Sequence, residues 1–260
     1  MASKKKQEIE VTKPQALAVQ VPENWMDEMK KEAKDAASKE VLFGSRISFK
    51  GGDIAIAGEP VEGNKLPVII VDFACEKAYY PGKFDPKNTK PPVCYAMGRD
   101  EKTLKPHPAA PKPQAATCAE CEWNRFGTSE MGAGKACKDG RRILCMAGNV
   151  GLDGVQRAEI LPALIPPTSL KGWALYLKGL GEIGRPPFAV MTQLGIKKVE
   201  TYFHVTFDLL GNLPNALAYM VSQRRPGVEE MLFAPYPTMA EEEPKKAPAK
   251  ALKGKGKGRE

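Results

Sequence analysis

Apolar and polar residues alternate with a period of two in several short stretches of this chain, and the rhythm changes to a helical one between them. From Val41 onward, VLFGSRISF, DIAIA and LPVIIVD read as strands separated by Gly51-Gly52 and by Glu62-Gly63-Asn64. In the first, Ile47 and Phe49 alternate with Arg46, Ser48 and Lys50, which predicts a half-buried strand with a basic, polar outer face. RRILCMA, RAEILPALIPP and PPFAVMTQL continue the strand pattern, with Cys145 at a core position and Cys75 near a strand end. VETYFHVTFDL alternates most clearly: Val199, Thr201, Phe203, Val205, Phe207 and Leu209 share one face, and Glu200, Tyr202, His204, Thr206 and Asp208 the other. Helical spacing marks a segment from Thr168, whose buried face is Leu170, Trp173, Ala174, Leu177 and Leu180, with Gly179 and Gly181 near its stop. Pro214 opens a last helix, NALAYMVSQRR. Near the start, residues 23–40 predict a helix capped by Asn24, with Asp27 at its third position and Trp25, Met29, Ala33 and Ala36 on one stripe.

These pieces predict a mainly β chain with peripheral helices, an α+β class. The strand count suits an OB-like small β-barrel of five strands with a long excursion between its third and fourth. A small sandwich satisfies the same alternation. The predicted organisation is a flexible N-terminal arm over 1–22, an OB-like domain over 23–237 with an insertion at about 85–140, and a disordered basic tail over 238–260.

The excursion has almost no apolar periodicity, with prolines at 106, 108, 111 and 113 and several glycines. It holds four of the six cysteines: Cys94, the C-x-x-C pair Cys118 and Cys121, and Cys137. Two thiolates offered by a tight turn and two brought in from either side make a tetrahedral zinc site, whose binding energy replaces a missing core. His107 is an alternative fourth ligand in place of Cys94. A redox pair is disfavoured by the acidic neighbours Glu120 and Glu122. The deaminase pattern fails because neither His107 nor His204 has Glu two residues later. Gly132-Ala133-Gly134-Lys135-Ala136 is not a phosphate-binding loop, since the hydroxyl after the lysine is missing. Its glycines predict a turn that carries Cys137 to the metal. No paired carboxylate and histidine cluster accompanies the cysteines, so the chain is not expected to be an enzyme.

Charge sharpens this reading. The formal net charge is +8, and residues 77–142 alone carry thirteen Lys/Arg against seven Asp/Glu. Tyr79, Tyr80 and Phe84 are interleaved there with Lys77, Lys83, Lys87 and Lys90. Rings that stack on unpaired bases beside ammonium groups that meet phosphates are what single-stranded nucleic acid requires. The candidate contacts are Arg46, Phe49 and Lys50 on the barrel, then Tyr79, Tyr80, Lys83 and Phe84, then Trp123, Arg125, Phe126, Lys135, Lys138, Arg141 and Arg142 across the zinc loop. A second reading is a zinc-stabilised protein-interaction module that binds a polymerase component. The apolar runs are too short to span a bilayer and the N-terminus has no secretory pattern, so no membrane partner is expected.

The runs RISFKGGDIAI, VIIVD, YYPGKFDP, PPVCYAMGRD and CAECEWNRFGTSEMGAGKACKDGRR, within residues 40–145, resemble a group of proteins encoded by tailed bacteriophages. That group is related to phage single-stranded DNA-binding replication proteins, which combine an OB fold with a zinc-binding loop. The resemblance implies Zn2+ at Cys94, Cys118, Cys121 and Cys137, a role in DNA replication or recombination, and the cytoplasm of the bacterial host. It departs from the helix-destabilising phage protein in two ways. That protein has a histidine among its ligands, and it ends in an acidic tail, whereas Glu241 to Glu243 here are followed by lysines.

Overall fold

A computed structural model describes residues 24–29, 31–32, 46–82, 90–130, 132–199 and 202–236. The chain divides into two units, Met1–Phe43 and Gly44–Glu260. In the first, residues 25–29 and 31–32 are helical, and the Asn24 carbonyl accepts from the amides of Asp27 and Glu28, each at 3.0 Å. The Asn24 side-chain Nδ2 also donates to Glu28 Oε1 at 2.6 Å. Ala33 and Ala36 of the predicted stripe, the arm over 1–22 and the tail over 238–260 lie outside the described residues.

The second unit is built on one mixed, curled sheet that forms a half-barrel. Its described strands are β1 (Ile47–Ser48), β2 (Ala55–Ile56), β3 (Glu59–Pro60), β4 (Lys65–Tyr79), β5 (Cys94–Gly98), β6 (Cys137–Ala147), β7 (Leu161–Ile165), β8 (Val190–Val199) and β9 (Tyr202–Asn212). The order is β3-β2-β1-β7-β6-β4-β8-β9, and β5 pairs with β4 off this path. The β1–β7 pair is parallel and the others are antiparallel. Curling brings the β1–β2 corner onto β8 and β9, where Lys198 pairs with Asp53 at 3.0 Å. The corner glycine, Gly52, has φ +76° and lies against the Lys198 and Phe203 side chains, so a side chain there meets both strain and crowding. The first part of the β9 edge is covered by the segment after β7: Thr168 Oγ1 donates to the Phe203 carbonyl at 3.1 Å, and the Val205 amide donates to Ser169 Oγ at 2.8 Å.

The unbroken apolar run in β4 follows from burial on both faces. Val68 and Ile70 face a core with Ile47, Ile143, Ile165, Leu194 and Val205, which helix α1 (Leu170–Glu182) seals with Trp173. Ile69 and Val71 face a second core with Leu144, Met146 and residues of α2 (Asn215–Arg224) and α3 (Glu229–Leu232). Trp173 meets Phe73 and Phe207 edge to face, at 5.3 and 5.2 Å between ring centroids. In α1, Tyr176 packs inward where Ala174 is expected, and Ala174 is exposed. In β9, Leu209 departs from its expected buried face because it sits at the bulge opposite Met191 and Thr192.

Three boundaries differ from the sequence expectation. VETYFHVTFDL is not one strand, since Val199 ends β8 and Tyr202 opens β9. LPVIIVD does not stop at Asp72 but runs on through FACEKAY to Tyr79. The excursion that follows is not all loop, because it contains β5. Asp72, Glu76 and Lys77 are buried charges with ionic partners, so this half of the strand carries no alternation to read.

Candidate metal centre and nucleic-acid interface

At the far end of β4, Tyr79 aligns with Cys94 on β5 and with Cys137 on β6. Residues in register share a face, so both cysteines flank Tyr79 on one side of the sheet. Two positions back, Lys77 aligns with Ala96 and Asp139, and then Cys75 with Gly98 and Arg141. The loop from Arg99 to Ala136 folds back over this face. The Cys118 amide donates to the Leu104 carbonyl at 2.9 Å, and buried Leu104 packs with Cys75, Ala96 and Cys118. Asn124 closes the C-x-x-C turn: its Nδ2 donates to the Cys118 carbonyl at 2.8 Å and its backbone amide to the Cys121 carbonyl at 3.1 Å.

Cys94, Cys118, Cys121 and Cys137 are each 7–8% exposed and line one cavity with Lys77, Tyr79 and Asn124. The cavity measures about 10 Å3, room for about one water-sized body. All six cysteines are free thiols. Among the described residues, no three His, Cys, Asp or Glu side chains stand in metal-ligating geometry as placed. Four thiols, donors of the soft type that zinc accepts, come from three segments to line this one cavity. Burial pushes the Cys137 thiol up to about 12 and the Cys118 thiol up to about 11, and raises Cys94 too. Thiols raised in this way stay protonated near neutral pH without a bound cation. His107 is not in the cavity lining. It stacks on Tyr95 at 5.0 Å, and Cys94 holds the position facing the other thiols.

An ionic network that the sequence reading missed ties the loop to the sheet. Buried Lys77 donates to Asp139, to Glu101 Oε1 at 3.1 Å and to Asn124 Oδ1 at 3.3 Å. Lys135 pairs with Asp139 at 2.9 Å, and Arg141 with Glu101 at 2.7 Å. Burial alone raises the Asp139 and Glu101 carboxyls, but these cations outweigh it and hold both below their ordinary values. The available signal was strand period: Cys75, Lys77 and Tyr79 share one face, as do Cys137, Asp139 and Arg141.

The candidate nucleic-acid contacts fall into distinct groups. Phe126 is 79% exposed at the loop tip, with Lys135 Nζ 5.2 Å from its ring centroid. Its chain neighbour Arg125 is exposed, as is Lys138, whose Nζ donates to the Lys135 carbonyl at 2.6 Å, and the tip is closed by the Gly127 amide donating to the Ala133 and Gly134 carbonyls at 3.0 and 3.1 Å. Tyr79 stacks on Trp123 at 5.0 Å, and the Trp123 indole donates to Gln114 at 3.1 Å, so these rings are occupied with each other. Arg46 and Lys50 are exposed at the β1–β2 corner, which packs on β8 and β9. Tyr80 is exposed, and Lys83 and Phe84 lie outside the described residues.

Three of the expected contact residues point away from that surface. Phe49 is 6% exposed and packs in the core, because it shares the inward face of Ile47. Arg141 is turned to Glu101 inside the loop network. Arg142 points to the opposite face, where it pairs with Glu76 at 2.7 Å and donates to the Leu232 and Ala234 carbonyls at 3.3 and 2.7 Å. It fastens the segment after α3 to the sheet, and Tyr236 of that segment also donates to Glu76.

No protein-family model matches the chain, and neither does any curated protein or solved structure. Among the described residues, no helix is long and apolar enough to cross a membrane.

Proposed function

We propose that this chain is a non-catalytic single-stranded DNA-binding protein whose recognition loop is held by one zinc ion at Cys94, Cys118, Cys121 and Cys137. The resemblance of residues 40–145 supports a place among the phage replication and recombination proteins, acting in the bacterial cytoplasm beside other replication proteins. The curled mixed sheet is compatible with an OB-like barrel, the frequent host of such a groove. The metal's contribution is to make four buried thiols thiolates and so stabilise a loop with little core of its own.

The observation that carries the reading is Phe126. It offers an exposed ring beside the Lys135 ammonium and next in sequence to exposed Arg125, on the loop that contains Cys118 and Cys121. A base stacks on such a ring while neighbouring cations meet its phosphates. Fluorescence anisotropy with single- and double-stranded oligonucleotides across salt tests it. Phe126→Ala is expected to weaken single-strand binding by about 1–3 kcal/mol without changing Tm. Equal affinity of Phe126→Ala and wild type argues against this surface.

One set of contacts favours the second reading, a zinc-stabilised module for a polymerase component. Lys77, Arg141 and Arg142 are committed to internal pairs, which lowers the charge offered to phosphate. Under that reading single-strand affinity lacks the steep salt dependence of counterion release.

A further inference from the structure

Lys77 stands in the run of lysines and rings that suggests phosphate contact, yet its side chain is 3% exposed and turned into the sheet face that carries Cys94 and Cys137. Resting on the zinc reading above, we propose that Lys77 is a positioning residue for the metal: its ammonium is the countercharge of the thiolate cluster and aligns the segments that bear the ligands.

The charge argument comes first. Zinc with four thiolates carries two net negative charges. A buried charge of that kind is costly unless a partner of opposite sign is buried with it. The surrounding network holds three cations, Lys77, Lys135 and Arg141, against two carboxylates, Glu101 and Asp139. Among the described residues, Lys77 is the one cation that lines the thiol cavity.

The geometry adds the positioning. One Lys77 acceptor is Asn124, whose side chain and backbone amide hold the carbonyls of Cys118 and Cys121. A second is Asp139, two residues beyond Cys137 on the same strand face. A third is Glu101, in the turn that follows β5 and its Cys94. A single ammonium thus reaches one acceptor behind each ligand-bearing segment. Outer partners of this kind orient metal ligands, and removing them typically costs 10–100-fold in metal affinity.

The test is chelator competition for zinc on the full chain, with the thiolate-to-metal charge-transfer band of the Co2+-loaded protein as a second readout. Lys77→Met is expected to weaken zinc binding by roughly 10–100-fold and to shift the band. Lys198→Met, whose ammonium pairs with Asp53 at the β1–β2 corner, leaves both unchanged. Lys77→Met combined with Asp139→Asn removes the carboxylate that then keeps only Lys135 as its cation, and binding stays weak. Where Lys77→Met alone does not fold, this double variant carries the test. Wild-type affinity and an unmoved band in the variants, with one zinc bound by wild type, overturn the role of Lys77 and leave the zinc reading standing. Restoration of affinity in the double variant also overturns it, since the loss then came from the under-compensated Asp139 carboxylate. Wild-type protein that binds no zinc overturns the zinc reading itself.

Discussion

The two halves of β4 are stabilised in opposite ways. From Val68 to Val71 the strand lies between two apolar cores, and successive side chains enter one or the other. That half needs only its sheet neighbours and the helices over them. From Cys75 to Tyr79 the neighbour on one edge changes from β8 to β5, and the buried side chains include Glu76 and Lys77. Each charge is met by a segment distant in sequence: Glu76 by Arg142 and Tyr236, Lys77 by Glu101, Asn124 and Asp139. Apolar burial is non-directional and tolerant, whereas a buried ion pair gives little net stability but admits few arrangements. The far half is therefore specified rather than strongly stabilised, and the proposed zinc would supply the energy it lacks.

The comparison breaks most sharply on removal of the metal ligands. Cys118→Ser with Cys121→Ser is expected to abolish zinc binding, an interaction of order 10 kcal/mol in structural sites. Hydrogen exchange should then show loss of protection in β5 and in residues 99–136, while β8 and residues 68–71 of β4 keep theirs. Uniform loss across both halves would mean that they are one cooperative unit. The converse perturbation is Trp173→Ala, which empties a site in the near core and is expected to cost about 3–5 kcal/mol by urea unfolding. Zinc content of the folded fraction should be unchanged.

Arg142→Met probes the far half from its other face. It leaves Glu76, a 2% exposed carboxylate, with Tyr236 alone, at an expected cost of about 3 kcal/mol in chemical denaturation. Adding Glu76→Gln should recover much of that loss, which a purely packing role for Arg142 would not allow.

The pattern of hydrophobic positions made the near half readable. The apolar run of β4, the alternation of β9 and the spacing of α1 are direct images of one- or two-sided burial. The far half was not readable in that way, because Glu76 and Lys77 are adjacent, both buried and on opposite faces, and a paired buried charge looks like a loop residue. The cysteine spacing was legible through ligand chemistry alone, and all four chosen thiols line one cavity. The contact residues were less so. Adjacent Arg141 and Arg142 were grouped as one basic patch, although neighbours in a strand point to opposite faces. Phe49, a candidate barrel contact, follows the rhythm of Ile47 and is buried with it.

The smallest expected effect is on acid stability, and it falls on the charged contacts. Asp72, held by Arg99 and Arg225 against the cost of burial, has a carboxyl below the ordinary 3.8, as does Asp139, and Glu101 lies below the ordinary 4.5. A carboxyl depressed in the folded state contributes fully above its unfolded value and loses that contribution as pH falls through its folded value. Stability should thus decline as pH falls below about 4.5. Asp72→Asn should flatten part of that decline in pH-dependent thermal melts.

The account depends on one bound ion ordering the far half of β4 and the loop above it. Native mass spectrometry of the full chain, purified from zinc-replete cells without chelator, tests this most directly. The predicted mass is that of the chain plus one zinc, less the protons displaced from its thiols. A chain mass with no metal, in protein whose loop is nonetheless protected from exchange, would contradict it.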